Sequence, residues 1–133
     1  VGQDLFEEVD YVSFATAKGG NFGWNNCEGF ADFNGNCPSS TIKPVLALSH
    51  NDGYCSVIGG LVVRDPKVPA LKGRYIYSDF CNSATRSFKP GFGQVGSVRS
   101  SGISKPSITS YGENASHKVF ATSIDGSVYR LTQ

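Results

Sequence analysis

The chain has 133 residues and a mass of 14.2 kDa, the size of one domain. Lys plus Arg number 12 and Asp plus Glu 11, so a net charge of +1 offers no field for nucleic acid or for an anionic membrane surface. Aromatics at 12% speak against disorder, and no apolar run approaches the ~18 residues of a membrane-spanning helix. The first residue is Val rather than Met and no signal-peptide pattern opens the chain, which points to a processed or excised piece.

Along the chain, period-two alternation dominates. Residues 4–9 could form one helical turn at most. Strands are expected at Glu8-Val9-Asp10-Tyr11-Val12, in the apolar run Val45-Leu46-Ala47-Leu48, from Val57 to Arg64, and at Arg74-Tyr75-Ile76-Tyr77-Ser78. Two more are expected at Lys118-Val119-Phe120-Ala121-Thr122 and Ser127-Val128-Tyr129-Arg130-Leu131, joined by a hairpin turn at Asp125-Gly126. Asp52-Gly53 gives a second turn signal. Residues 25–44 form a long stretch without a strand, a length that is usually functional or pinned. Residues 89–106 are rich in Gly, Ser, Pro and Lys and read as a connection, with a weak strand at Val95–Arg99. The pattern predicts an all-β chain of about eight strands in two or three four-stranded units.

The cysteines are Cys27, Cys37, Cys55 and Cys81. They form no C-x-x-C pair, and His50 and His117 are too few and too scattered to complete a zinc site. Two disulfides suit the count better than four reduced thiols. Of the three connectivities, Cys27–Cys37 with Cys55–Cys81 closes each loop around one strand pair. Oxidised cysteines place the chain outside the cytoplasm, extracellular or periplasmic.

Other motifs are weaker. Gly91-Phe92-Gly93-Gln94-Val95-Gly96 fits G-x-G-x-x-G, but no strand precedes it and no helix can follow, so it reads as a surface turn. Asp32-Phe33-Asn34-Gly35-Asn36 resembles the start of a calcium loop, yet Cys37 and Lys43 stand where Gly and Glu are needed; an Asx-rich turn fits better. Asn114-Ala115-Ser116 is the one glycosylation sequon and reads as a polar turn. His50 reads as a hydrogen-bonded structural residue at a strand end rather than a base. The densest string is Lys18-Gly19-Gly20-Asn21-Phe22-Gly23-Trp24. It is either a tight bulge covered by Trp24 or a loop shaped against a flat ligand.

That string carries a resemblance, together with Val1-Gly2-Gln3, Glu7-Glu8-Val9-Asp10 and Glu28-Gly29. The set resembles the DVGQ…EE…GGN(Y/F)GW…EG signature of the glucose/sorbosone dehydrogenase family, which comprises PQQ-dependent aldose dehydrogenases and Hedgehog-interacting-protein-like relatives. Residues 56–65, Pro69 to Phe80, Ser110-Tyr111-Gly112-Glu113 and Asp125 to Leu131 are similar to further runs of that family, in order. The resemblance implies the C-terminal part, residues 1–133, of a six-bladed β-propeller.

It also implies roles. Gly2 and Gln3 match a backbone-carbonyl position that ligates the calcium bound with PQQ. Glu7 and Glu8 match an acidic pair that binds further calcium. Arg64 matches a basic position facing the carboxylates of PQQ, which a guanidinium answers by charge-assisted hydrogen bonds. The family oxidises sugars by hydride transfer to PQQ, with a His base that would lie upstream; neither His50 nor His117 matches it. Where the family has G-D-F-C-S-G-R, this chain has Ser78-Asp79-Phe80-Cys81-Asn82-Ser83-Ala84, losing two glycines and an arginine. Arg86 could compensate only if no bulge intervenes. The implied function is therefore a fragment of a PQQ-dependent sugar dehydrogenase. The alternative is a secreted, non-catalytic propeller module acting in binding or assembly. Blades bury their faces against neighbours, so the expected partners are the remaining blades of a parent or further copies of the chain.

Overall fold

A computed structural model describes residues 2–132; Val1, which opens the Val1-Gly2-Gln3 motif, lies outside the described residues. The fold is all-β, as the alternation predicts, and propeller-like, as the resemblance implies. Eleven strands form among the described residues: β1 (Phe6–Val9), β2 (Cys27–Glu28), β3 (Ala31–Asp32), β4 (Leu46–Ser49), β5 (Val57–Val62), β6 (Tyr75–Asp79), β7 (Ala84–Phe88), β8 (Arg99–Ser104), β9 (Ile108–Glu113), β10 (Val119–Ser123) and β11 (Val128–Arg130). All pairings are antiparallel: β1 with β4, β2 with β3, a four-stranded sheet β5-β6-β7-β8, and a three-stranded sheet β11-β10-β9.

The four-stranded sheet is one complete blade, and period two explains how it is held. Ile76 on β6 faces a core with Val63, Val68, Leu71, Val119 and Leu131, against the β9–β11 sheet. Its neighbours Tyr75 and Tyr77 point the other way, into a core with Val45, Leu48 and Phe88, against β1 and β4. Successive side chains on a strand face opposite sides, so one apolar-rich strand supplies both interfaces. Ile76 and Tyr77 are both essentially inaccessible. At ~25 cal/mol per Å² of apolar surface, such layers supply most of the driving force. Val63 and the set at 75–77 are thus covered within the chain, by its own flanking sheets, while Val62 stays exposed.

Several expectations shift. Among the described residues the only helical turn of the α type, α1 (Phe14–Ala17) capped by Ser13, lies after the first strand, and residues 6–9 are extended instead. The 25–44 stretch is not strandless: β2 and β3 make a short hairpin that the Cys27–Cys37 disulfide closes. The connection at 89–106 contains β8, displaced from Val95–Arg99 to Arg99–Ser104. Asp125-Gly126 turns the β10–β11 hairpin as expected.

Both disulfides have the expected partners. Cys27–Cys37 and Cys55–Cys81 bridge Cα atoms 4.9 and 5.7 Å apart, and no described cysteine is free. Among the described residues no helix is long and apolar enough to cross a membrane. Two disulfides are compatible with an extracellular protein.

Candidate functional site: an acidic cleft

The expected site residues Gly2, Gln3, Glu7 and Glu8 come together. They line a cleft of ≈ 320 Å³ with Phe22, Trp24, Cys27, Glu28 and Val57. The backbone shapes it. A Cβ on Gly2 would sit 1.7 Å from the Phe6 carbonyl oxygen, so only glycine lets the N-terminal segment fold back there. Gly23 has φ of 98°, and a Cβ on it would meet the Cys27 Sγ at 2.7 Å. The Lys18–Trp24 string is thus a turn laid against the disulfide rather than a bulge. Trp24 stays 63% exposed and stacks on Phe33 with ring centroids 5.6 Å apart.

The glutamates are occupied by backbone amides. Glu7 is fully buried; its Oε1 accepts from Gly2 N–H (2.8 Å) and lies 3.0 Å from His50 Nε2, and its Oε2 accepts from Val57 N–H at 2.9 Å. Burial pushes the Glu7 carboxyl up, but bonds from Val57, His50 and Gly2 outweigh it and hold it below its usual range. His50 is therefore a structural partner, as expected. Glu28 Oε1 accepts from the N–H groups of Asp4, Leu5 and Phe6, at 2.9, 2.9 and 3.1 Å. Against the cost of burial, those amides hold its carboxyl low as well. Glu8 differs. One oxygen accepts from Gly29 N–H, and the other accepts no bond among the described residues. Burial, with the charges of Asp10 and Glu28, pushes Glu8 up; burial also raises Asp10.

Arg64 is placed elsewhere. Val57 at the start of β5 lines the cleft, and Arg64 lies seven residues on, roughly 20 Å along an extended strand. Its guanidinium is paired with Glu113, which also lies 3.4 Å from His117 Nδ1. Arg86 does not replace it at the cleft either, and the β7–β8 ladder shifts register between Ala84 and Arg86.

A second carboxylate works as Glu28 does. Asp79 accepts from the N–H groups of Cys55, Ser56, Cys81 and Asn82 at 2.8–3.1 Å, tying down the loops that the Cys55–Cys81 disulfide joins. Sequence reading missed this role for both residues. An acidic residue beside a half-cystine, as at Cys27-Glu28, was the signal available. The group Cys55, Asp79 and Cys81 holds no metal, because both sulfurs are in the disulfide. The other candidate motifs settle as turns: Asp32 Oδ1 accepts from Cys37 N–H at 2.7 Å, and Asn114 Oδ1 from Ser116 and Lys118 N–H.

The donor set of the cleft discriminates between the two expected groups. The carbonyls of Gly2 and Gln3 accept no hydrogen bond among the described residues, and Glu8 has a free oxygen. Oxygen donors of this kind suit Ca²⁺. No Lys or Arg lines the cleft, while three carboxylates do. A tricarboxylate such as PQQ would meet like charge there, so the residues present do not fit it.

The chain is similar to two plant proteins. It is 36% identical over 93 residues to the HIPL1 protein of Arabidopsis thaliana and 33% identical over 97 residues to the HIPL2 protein of the same plant. The matches take in 59% and 63% of this chain but 13% of each relative, so the chain spans about an eighth of the length of the curated relatives it matches. No family model matches the sequence. The similarity points to a propeller-like domain family and does not bear on sugar oxidation.

Proposed function

We propose that this chain is the calcium-holding part of a longer, extracellular propeller protein, and that it acts in binding rather than in sugar oxidation. The observation that carries this reading is the cleft's donor set: carbonyl and carboxylate oxygens with no cationic side chain among them. Gly2 and Gln3 would offer carbonyls and Glu8 its free oxygen, while Glu7 and Glu28 keep the frame by holding amides. Arg64, committed to Glu113, has no part in it. His50 is engaged with Glu7 and does not line the cleft.

The outer faces of the end sheets would pack on the rest of the longer protein or on further copies. Ile124 and Val128, 70% and 67% exposed at the β10–β11 end, support that reading.

Calcium titration followed by calorimetry tests it. Saturable binding with a Kd in the ~10⁻⁴–10⁻³ M range of extracellular modules is expected, weakened in Glu8→Gln. No heat up to that range would overturn the calcium assignment. PQQ-dependent reduction of a dye on adding sugar would overturn the non-catalytic reading. Sedimentation of the isolated chain as a monomer only, near 14 kDa, would remove the case for association.

A further inference from the structure

A buried cation of the blade has no counter-charge. Arg74, just before β6, stands two residues from Ile76 and so leaves the sheet on the same face. Ser87 on β7 is the ladder partner of Ile76 on one side and of Arg99 on the other, which brings Arg99 to that face too. Arg74 is 3% exposed. Its Nε–H donates to Ser87 Oγ at 2.9 Å, and its Nη2 donates to the carbonyls of Ser87 and Ser97 at 2.8 and 2.6 Å. These partners are neutral, so they fix the guanidinium without balancing its charge. Among the described residues no carboxylate lies within ion-pair distance of Arg74 or Arg99. A charge taken out of water is ordinarily paired with one of opposite sign. Here the neighbour has the same sign: burial first, and then Arg99, push the Arg74 guanidinium below its ordinary value. It is still charged at neutral pH.

The two arginines open on the same space. Arg74 and Arg99 line a cavity of ≈ 440 Å³, and no described Asp or Glu lines it. The Nη1 of Arg74 makes no hydrogen bond among the described residues and is not sealed from solvent, so its two N–H groups are left for what enters. We infer that this cavity binds a phosphate monoester, with the phosphoryl group between Arg74 and Arg99 and the organic part against Val68, Leu71 and Ile103. Two fixed positive charges with no negative one call for a dianion. A phosphate monoester is close to that at neutral pH and presents three strong acceptor oxygens. Guanidinium groups answer such oxygens with paired, charge-assisted hydrogen bonds. The volume decides for an ester over the bare ion. A cavity of ~150 Å³ already holds a benzene ring, so there is room here beyond the phosphoryl group. The apolar side chains on the opposite wall, Val68, Leu71 and Ile103, suit a small carbon body. The site shares no lining residue with the acidic cleft and does not depend on the calcium reading.

Titration of the whole chain with glycerol 3-phosphate, with inorganic phosphate and with chloride tests this. Calorimetry gives the affinity, and ¹⁵N-resolved NMR of the Arg74 Nε–H and of the Ser100–Gly102 amides gives the place. Saturable binding of glycerol 3-phosphate is expected, tighter than that of inorganic phosphate, with shifts at those signals. Arg74 is buried and its replacement could unfold the blade, so the variant is the exposed Arg99. Arg99→Gln should weaken binding ~tenfold or more, the share of a hydrogen bond to a charged group, and Arg99→Lys should restore part of it. Lys18→Gln removes one positive charge outside the cavity and should leave the affinity unchanged. Inorganic phosphate binding as tightly as the ester would overturn the assignment of the apolar wall. No saturable binding of either, an equal response to chloride, or an equal loss in Lys18→Gln and Arg99→Gln would overturn the site itself.

Discussion

The first fifty residues and the β5–β8 blade are held by different physics. The blade is a stack: Ile76 faces one core, Tyr77 and Phe88 the other, and its strands interlock through apolar contact. The N-terminal region has little such material. Its strands are short, and Glu7 and Glu28 are nine-tenths buried or more. What orders it is a pair of carboxylates, each collecting several amides, and one disulfide. A carboxylate can replace a core where the backbone turns too sharply to form a ladder, because amides left unpaired in a buried turn are costly. The same device reappears once in the blade, at Asp79, where two loops meet.

The largest effect expected from breaking this arrangement is at Glu7. Glu7→Ala strands the Gly2 and Val57 amides and His50 together, costing about 4 kcal/mol. Ile76→Ala in the blade opens a cavity worth about 3 kcal/mol. Urea unfolding would rank them, and hydrogen exchange would sharpen the contrast. Glu7→Ala should deprotect β1, β4 and Val57 first, and Ile76→Ala should lower protection through β5–β10. Uniform loss in both variants would erase the distinction between regions.

The disulfides fall in the same range. Opening Cys55–Cys81, which spans 26 residues, should cost roughly 3.5 kcal/mol on loop entropy, and Cys27–Cys37, spanning 10, somewhat less. Single Cys→Ser pairs measured by thermal unfolding would test the order. A larger loss from Cys27–Cys37 would mean that the N-terminal region leans on its disulfide more than on its carboxylates.

Much of the blade was legible in the sequence, and its limits are physical. Strands with apolar alternation, β5, β6, β10 and β11, stood out because they are rich in Val, Ile, Tyr and Phe. β7, where Thr85 and Ser87 are buried beside Phe88, did not, since hydroxyls bury only with partners in three dimensions. β8 is serine-rich and lies in the 89–106 stretch that read as a connection, and the β9 residues gave no strand expectation. The disulfide pairing followed from spacing. The site was half legible: Gly2, Gln3, Glu7 and Glu8 do line one cleft, but the amides that occupy Glu7 come from Gly2 and Val57, and no local pattern announces a contact fifty residues away. Arg64 matched by motif and is placed two residues beyond the far end of β5.

A smaller effect follows from the unequal carboxylates of the N-terminal region. Glu7 and Glu28 are held low, so they contribute stability above the ordinary Glu range that is lost as pH falls through their lowered values. Glu8 and Asp10 are held high, so their contribution is present at low pH and lost as pH rises through their raised values. On acidification the raised pair takes up protons first. Stability should therefore rise slightly just above the ordinary carboxylate range, then fall below it. Glu8→Gln with Asp10→Asn should raise stability at neutral pH and remove the early rise. A stability profile that falls monotonically from pH 7 would contradict this division.

The smallest expected effect is in a hydroxyl contact between the blade and its neighbour. Ser78, Thr85 and the Tyr111 hydroxyl form a buried triangle between the β5–β8 and β9–β11 sheets. Thr85 lies 3.0 Å from Ser78 and 3.1 Å from Tyr111, and Ser78 also meets Tyr111 directly. Ser78 stands where the resembling family has glycine, so this contact belongs to the segment that departs from the family run. Tyr111→Phe removes one member but leaves Ser78 and Thr85 bonded to each other, so no hydroxyl is orphaned and the ring still packs beside the Ile76 core. The cost should be about 1 kcal/mol, the net worth of a neutral hydrogen bond. In a double-mutant cycle with Ser78→Ala, that energy should prove largely coupled, because the two share the bond. A loss of 3 kcal/mol or more, as for a core truncation, would instead make the polar triangle the main fastening between the two sheets, and the contrast between an apolar blade and a carboxylate-held N-terminal region would no longer stand.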